Sequence, residues 1–206
     1  MFGALHLHLV HFNLPVQLLD DLLDAFLQDT SKTAQGLGYA DDAELMDYCR
    51  RSANPVGRLL LHLYGVTGEL AMQRSDAICS ALQLINFWQD LSVDLPRGRF
   101  YVPQQVCAKH GLAQADLQTA VHTHLQPPNA TQMIIELTDA ARRLMFSGAP
   151  LVHQIPGRAG WELRLVVQGG LRILDRIAAQ RYSTLLARPV LRKRDYVVML
   201  WRALWM

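Results

Sequence analysis

The 206-residue sequence has few cysteines, only Cys49, Cys79 and Cys107. An odd number at wide spacing, with no Cys-x-x-Cys pair, argues against a disulfide framework or a zinc site and fits a reducing compartment. Long apolar runs are also missing. No stretch of roughly 18 apolar residues occurs, so no transmembrane helix is expected. No charged segment precedes an apolar one at the N-terminus, so no signal peptide is expected. Charge of one sign is not in excess: 20 Lys and Arg stand against 18 Asp and Glu, which points away from a nucleic-acid partner. A Gly-rich dinucleotide fingerprint and alternating strand patterns are absent too. The expected location is the cytoplasm.

What the sequence does have is helical periodicity. Half the residues are apolar and 18% are charged, a globular composition. Leu18, Leu19, Leu22, Leu23, Ala25 and Phe26 recur at helical spacing from Val16 to Gln28 before Gly36 and Gly38. Asp41 or Asp42 can cap a helix through Tyr48, which Pro55 kinks. Ser75 is a candidate cap for a helix running to about Asp94. Further helices are predicted over 130–152, 161–187 and 193–204. The expected fold is an all-α bundle, one domain over 1–206.

Asn86, Asp90 and Asp94 fall at i, i+4 and i+8, so one helix would carry their oxygens as one stripe. Magnesium takes oxygen ligands and keeps waters, so one or two carboxylates plus a substrate phosphate can hold it. The other reading is the polar face of a surface helix. The apolar neighbours Ala81, Leu82, Leu84, Ile85, Phe87 and Trp88 weigh against that, because buried acids need partners.

Two motifs carry a resemblance. Asp76-Ala-Ile-Cys-Ser-Ala-Leu-Gln-Leu-Ile-Asn-Phe-Trp-Gln-Asp90, followed by Asp94 and Gly98-Arg-Phe-Tyr-Val-Pro103, resembles the second aspartate-rich region of squalene and phytoene synthases. Tyr48-Cys-Arg-Arg-Ser-Ala-Asn-Pro-Val-Gly-Arg58 resembles that family's Tyr-Cys helix. The Ser-Ala-Asn-Pro-Val-Gly and Asn-Phe-Trp-Gln-Asp variants are similar to the bacterial hydroxysqualene synthases of hopanoid pathways.

The resemblance implies a class I isoprenoid synthase bundle. It would ionise presqualene diphosphate and quench the rearranged cation with water, or couple two farnesyl diphosphates head to head. It implies Mg2+ on Asn86, Asp90 and Asp94. Gln83 would stand near the reacting carbons or be a satisfied buried amide. Tyr48 would face the cation with its π face or serve as a core aromatic. Ser52, Val56 and Leu60 would continue as pocket wall. Asp29 would support the site, and Arg99 and Tyr101 would reach the diphosphate, Arg99 as a bidentate donor.

Asp20-Asp-Leu-Leu-Asp24 spells the Asp-Asp-x-x-Asp pattern of prenyl-chain enzymes. It lies only about two dozen residues before Tyr48, so it is read instead as a solvated helix face. On that reading the family's first aspartate-rich helix is absent and the bundle is N-terminally truncated. The expected partners are an isoprenoid diphosphate and either a complementing subunit or a second copy. The C-terminal stretch Tyr196–Trp205 is apolar, with two tryptophans and with Arg188, Arg192, Lys193, Arg194 and Arg202 nearby. It suits peripheral contact with the inner face of a membrane or docking on the bundle.

Overall fold

The computed structural model describes residues 2–206, and the described residues form α- and 3-10 helices with no strand. The helices are α1 (Phe2–His11), α2 (Val16–Gln35), α3 (Asp42–Ser52), α4 (Asn54–Leu63), α5 (Glu69–Gln89) and α6 (Leu91–Asp94). They continue as α7 (Gln104–Lys109), α8 (Gln114–Thr123), α9 (Pro128–Gly148), α10 (Gly157–Ala179) and α11 (Lys193–Leu204). Short 3-10 turns follow α6 (Leu95–Arg97) and α9 (Ala149–His153). The all-α expectation holds.

Local chemistry sets most boundaries. The Asp41 side chain accepts from the Glu44 N–H at 2.9 Å and starts α3. Gly36, at φ 63°, closes α2 and donates back to the Lys32 and Thr33 carbonyls. Pro55 sits in the first turn of α4, where its missing N–H costs no intrahelical bond. The reading of Ser75 as a cap is corrected. The helix begins at Glu69, six residues earlier, and Ser75 is buried within it. Helix α2 runs seven residues past Gln28, and α10 ends at Ala179, eight residues short of Ala187. The helices α7 and α8 follow Pro103, in a region where no helix is predicted.

Helix α5 is the axis of the bundle. Its buried residues (Ala71, Ser75, Ile78, Ala81, Leu84, Ile85, Trp88 among them) lie on several sides, because α3, α4, α9 and α10 all pack on it. Helix α9 presents a regular stripe to it: Met133, Ile134, Leu137, Ala141 and Met145. Each large side chain of that stripe contributes roughly 1.5–3 kcal/mol by leaving water. Small residues set the closest approaches. A Cβ on Gly148 would meet the Arg74 carbonyl oxygen at 2.6 Å and the Ile78 nitrogen at 2.9 Å. A Cβ on Gly57 would collide with Ser75 Oγ and lie 2.6 Å from Cys79 Sγ.

Polar contacts fix the α4–α5 pairing. Ser80 donates to Asn54 Oδ1 at 2.9 Å in the interior. Arg58 clasps Asp76 with both a 2.9 Å and a 2.5 Å bond. Asn54, Gly57 and Arg58 of the Ser-Ala-Asn-Pro-Val-Gly-Arg stretch thus serve helix packing.

Candidate active site

The end of α5 carries the candidate site. At Asp90 the helix leaves ideal geometry (φ −100°, ψ 13°) and α6 begins one residue later. The backbone nonetheless keeps its four-residue rhythm across the break: Asp90 N–H bonds to the Asn86 carbonyl at 3.0 Å, and Asp94 N–H to the Asp90 carbonyl at 2.8 Å. Asn86, Asp90 and Asp94 therefore stay in one ascending row, although not on one unbroken helix. Burial deepens along it, from exposed Asn86 through half-buried Asp90 to buried Asp94.

The row is strongly charged. Burial raises the Asp94 carboxyl above its usual range, and the negative charges of Asp90 and Asp29 add to this. Arg99 and Arg97 oppose the shift, Arg99 with Nη1 3.7 Å from Asp94 Oδ1. Asp90 takes a 2.5 Å bond from Arg188 Nε. Arg188 rides on the segment after α10, which is tied to the same place twice more. Gln89 donates to the Pro189 carbonyl at 2.6 Å, and Ser92 N–H to the Thr184 carbonyl at 3.1 Å.

Beside the row lies an aromatic wall. The Phe87 and Tyr101 rings stack 3.8 Å apart at 10°. Tyr48 stands 6.3 Å from Phe87, 6.4 Å from Tyr101 and 5.5 Å from Tyr39. The Tyr101 hydroxyl donates to Asp29 Oδ1 at 2.7 Å, joining α2 to the strandless segment after α6. Burial, reinforced by the Asp29 charge, pushes the Tyr48 phenol up to about 12 and the Tyr101 phenol higher still. Both are neutral hydroxyls at neutral pH.

An apolar cavity of about 370 Å³ opens further along the same helix, between α4, α5 and α10. Val56 and Leu60 line it from α4, Ile78, Cys79 and Leu82 from α5, and Leu163 from α10. On α5, Ser75, Cys79, Leu82 and Asn86, followed by Asp90 at its C-terminal cap, are spaced at intervals of three or four, so cavity and acidic row share one face. Gln83 sits between them, half-buried. Ser52 does not line this cavity; it is half-buried on α3, with its Oγ unbonded by protein.

The donor set fits a hard divalent cation: two carboxylates and one amide oxygen in a row, open to solvent at the Asn86 end. No group of three His, Cys, Asp or Glu among the described residues is gathered to hold a metal by itself. Such a row needs waters or phosphate oxygens to complete a coordination shell. Of Asp20, Asp21 and Asp24, the first and last face solvent, and Asp21 accepts from Gln17 on its own helix at 3.1 Å. Arg188, Arg97 and Tyr39 join the site unannounced by the motifs, and Phe87, read from the motif only as an apolar neighbour, forms part of the aromatic wall. Arg188 stood among the C-terminal basic residues, with no local signal linking it to Asp90.

Fold and site together define a helical bundle with an acidic mouth beside an apolar pocket. The squalene/phytoene synthase family model matches residues 1–195, and the chain belongs to that family. It is 33% identical over 178 residues to a hydroxysqualene synthase of Sinorhizobium fredii, covering 86% of this chain and 56% of the relative. It is 30% identical over 196 residues to a phytoene synthase of Thermus thermophilus, covering 95% of this chain and 64% of that one. The crystal structure of squalene synthase HpnC from Alicyclobacillus acidocaldarius superposes with a TM-score of 0.80 at 34% identity, over 88% of this chain and 66% of that one. The chain thus spans between about half and two thirds of the length of these three proteins.

Proposed function

We propose that this chain carries the second-aspartate half of an isoprenoid synthase site that converts presqualene diphosphate to hydroxysqualene or a related C30 product. The observation that supports it is the shared face of α5, with the acidic row at one end and the apolar cavity at the other. A prenyl diphosphate has the same two-part chemistry. Asn86, Asp90 and Asp94 would hold Mg2+, which supplies positive charge to a departing diphosphate. Arg99 and Arg188, which stand beside Asp94 and Asp90, would donate hydrogen bonds to phosphate oxygens. Val56, Leu60 and Leu82 would seat the hydrocarbon. Tyr48 and Tyr101, held neutral by burial, would present aromatic faces to a cation without offering a phenolate to trap it. Asp29 would fix the Tyr101 hydroxyl, and Gln83 would lie between the diphosphate and hydrocarbon ends.

A second reading is favoured by exposed apolar side chains. Leu23, Phe26 and Leu27 of α2 and Val56 and Leu60 of α4 are all about half exposed or more, more than a water-excluding pocket allows. On this reading turnover requires helices from a complementing subunit or a second copy. Head-to-head coupling of two farnesyl diphosphates uses the same residue roles. Because these substrates and products are lipids, we place the protein in the cytoplasm, at the inner face of the membrane.

The test is Mg2+-dependent pyrophosphate release from presqualene diphosphate, with the lipid extracted and Asp90→Ala in parallel. Hydroxysqualene lost in the variant supports the first reading. A folded chain that binds the diphosphate without turnover supports the second. No binding by a folded chain overturns both.

A further inference from the structure

Helix α11 is apolar on two opposite sides. Asp195, Met199 and Ala203, spaced by four, are buried against the bundle. Arg172 holds Asp195 through bonds of 2.8 and 2.6 Å to Oδ1, and Arg202 reaches Asp175 at 2.7 Å. This face is docked. At 100° per residue, Val197, Leu200, Trp201 and Leu204 fall on the opposite side, and each is between 54% and 67% exposed. Trp205 is 77% exposed and sets its ring edge-on against Trp201, with centroids 5.9 Å apart. Core packing gives no reason for a second apolar stripe, because the first already seats the helix.

The charge around the stripe has one sign. From Arg181 to the C-terminus the basic residues are Arg181, Arg188, Arg192, Lys193, Arg194 and Arg202. The one acid in that span, Asp195, is buried and paired. Lys193 and Arg194 are exposed and fall on the same side as the stripe, at its first turn.

We infer that the outer face of α11 docks the protein onto an anionic lipid bilayer. Val197, Leu200, Trp201 and Leu204 would enter the headgroup–acyl boundary, and Lys193 and Arg194 would meet lipid phosphates. Tryptophan favours that boundary, where its ring is apolar and its N–H is wet. An apolar stripe with a basic flank is the pattern of helices that lie in the interface plane. No helix among the described residues is long and apolar enough to cross a membrane, so α11 itself would lie on the bilayer and not span it. A protein partner for this stripe would call for acidic side chains around an apolar groove. A bilayer supplies both the dispersed negative charge and the apolar layer without a matching shape. The inference extends the membrane-face position proposed above, and its readout is binding alone, so failure of docking and failure of catalysis are separable.

The test is flotation of the full chain with phosphatidylcholine vesicles, with and without phosphatidylglycerol. Binding is expected to the anionic vesicles and to weaken with salt. The Trp201→Ser/Leu204→Ser variant, altered only on the exposed face, should partition roughly tenfold or more weakly. Lys193→Glu/Arg194→Glu should do so by a comparable factor. Quenching of tryptophan emission by bromine-labelled lipid should fall in Trp201→Ser, the neighbouring Trp205 accounting for what remains. Circular dichroism of each variant should match the parent. Absence of flotation by the parent chain, or flotation unchanged in both double variants, overturns the inference. So does a dimer in sedimentation that Trp201→Ser dissociates, which would assign the stripe to a second copy.

Discussion

Arg188 and Asp90 are 98 positions apart in the chain, yet Arg188 Nε lies 2.5 Å from Asp90 Oδ1. The guanidinium is about half exposed and the carboxylate largely covered. Arg188 thus approaches from the solvent side, where a diphosphate would also arrive. Replacing it should separate two roles. Arg188→Ala should lower diphosphate affinity by roughly tenfold to a hundredfold, the usual cost of a charge-assisted bond. Arg188→Lys should recover part of that, because the charge stays and the planar fork is lost. Isothermal titration with inorganic pyrophosphate and Mg2+ measures both. Equal affinity in all three proteins would remove Arg188 from the site.

Asp94 is the buried member of the row, and its carboxyl is raised by burial. For an acid raised in the folded state, stability is greatest below the unfolded value of 3.8 and declines as pH climbs through the folded value. At neutral pH the ionised form therefore strains the fold. Asp94→Asn should raise the Tm at pH 7 by more than at pH 4, while the Mg2+-dependent pyrophosphate binding proposed above weakens about tenfold or more. A melting series from pH 4 to 8 decides it. A Tm lower than the parent's at pH 7 would mean that the Asp94 carboxylate supports the fold.

Tyr101 joins two distant segments through its hydroxyl on Asp29 and its ring on Phe87. Tyr101→Phe keeps the stacking and leaves Asp29 without its donor. The expected cost is about 1–2 kcal/mol of stability, measured by urea unfolding. Tyr101→Ala also loses the ring and should cost about 3–5 kcal/mol. Similar losses for the two variants would make the hydrogen bond the dominant contribution.

At the α5–α9 crossing, Gly148 leaves no room for a methyl group, because the obstacles are the Arg74 carbonyl and the Ile78 nitrogen. Backbone cannot rotate out of the way as a side chain can. Gly148→Ala should destabilise by about 1–3 kcal/mol despite alanine's better helix propensity. Gly169 shares helix α10 with buried Gly170 but faces only the end of Met199, at 3.5 Å. Gly169→Ala should be neutral or mildly stabilising, and chemical denaturation of the pair checks the contrast.

Asp195 is held below the usual carboxylate range, first by the Arg192 N–H that it caps at 2.6 Å and then by Arg172. The sign is opposite to that of Asp94. Its contribution is present above the ordinary value of 3.8 and is lost as pH falls through the lower folded value. Asp195→Asn should therefore lower stability at neutral pH and flatten the acid limb of the unfolding profile below pH 3.8. An acid limb as steep as the parent's would assign acid unfolding to other carboxylates.

Much of this protein is written locally. Apolar spacing marks α2, α9 and α11, because a helix repeats every 3.6 residues and one face must leave water. Asp41, Gly36 and Pro55 fix ends because caps and φ limits act within a few residues. The row Asn86, Asp90 and Asp94 follows from four-residue spacing alone, and survives the break at Asp90 because the backbone bonds keep that rhythm. Ser75 misled because a serine can cap a helix or pack inside one; only its contact with Gly57 across the helix crossing decides. The partners of the row could not be read from the chain. Tyr101 finds Asp29 72 positions away, and Arg188 finds Asp90 across 98. Those distances are closed by packing α2 and the segment after α10 against α5, a non-local outcome with no periodic signature. The sequence by itself determined the all-α class, the long periodic helices and which of their residues share a face, but not α7, α8 or the start of α5. The tertiary structure decided which faces meet, and so which charges and rings stand around the acidic row.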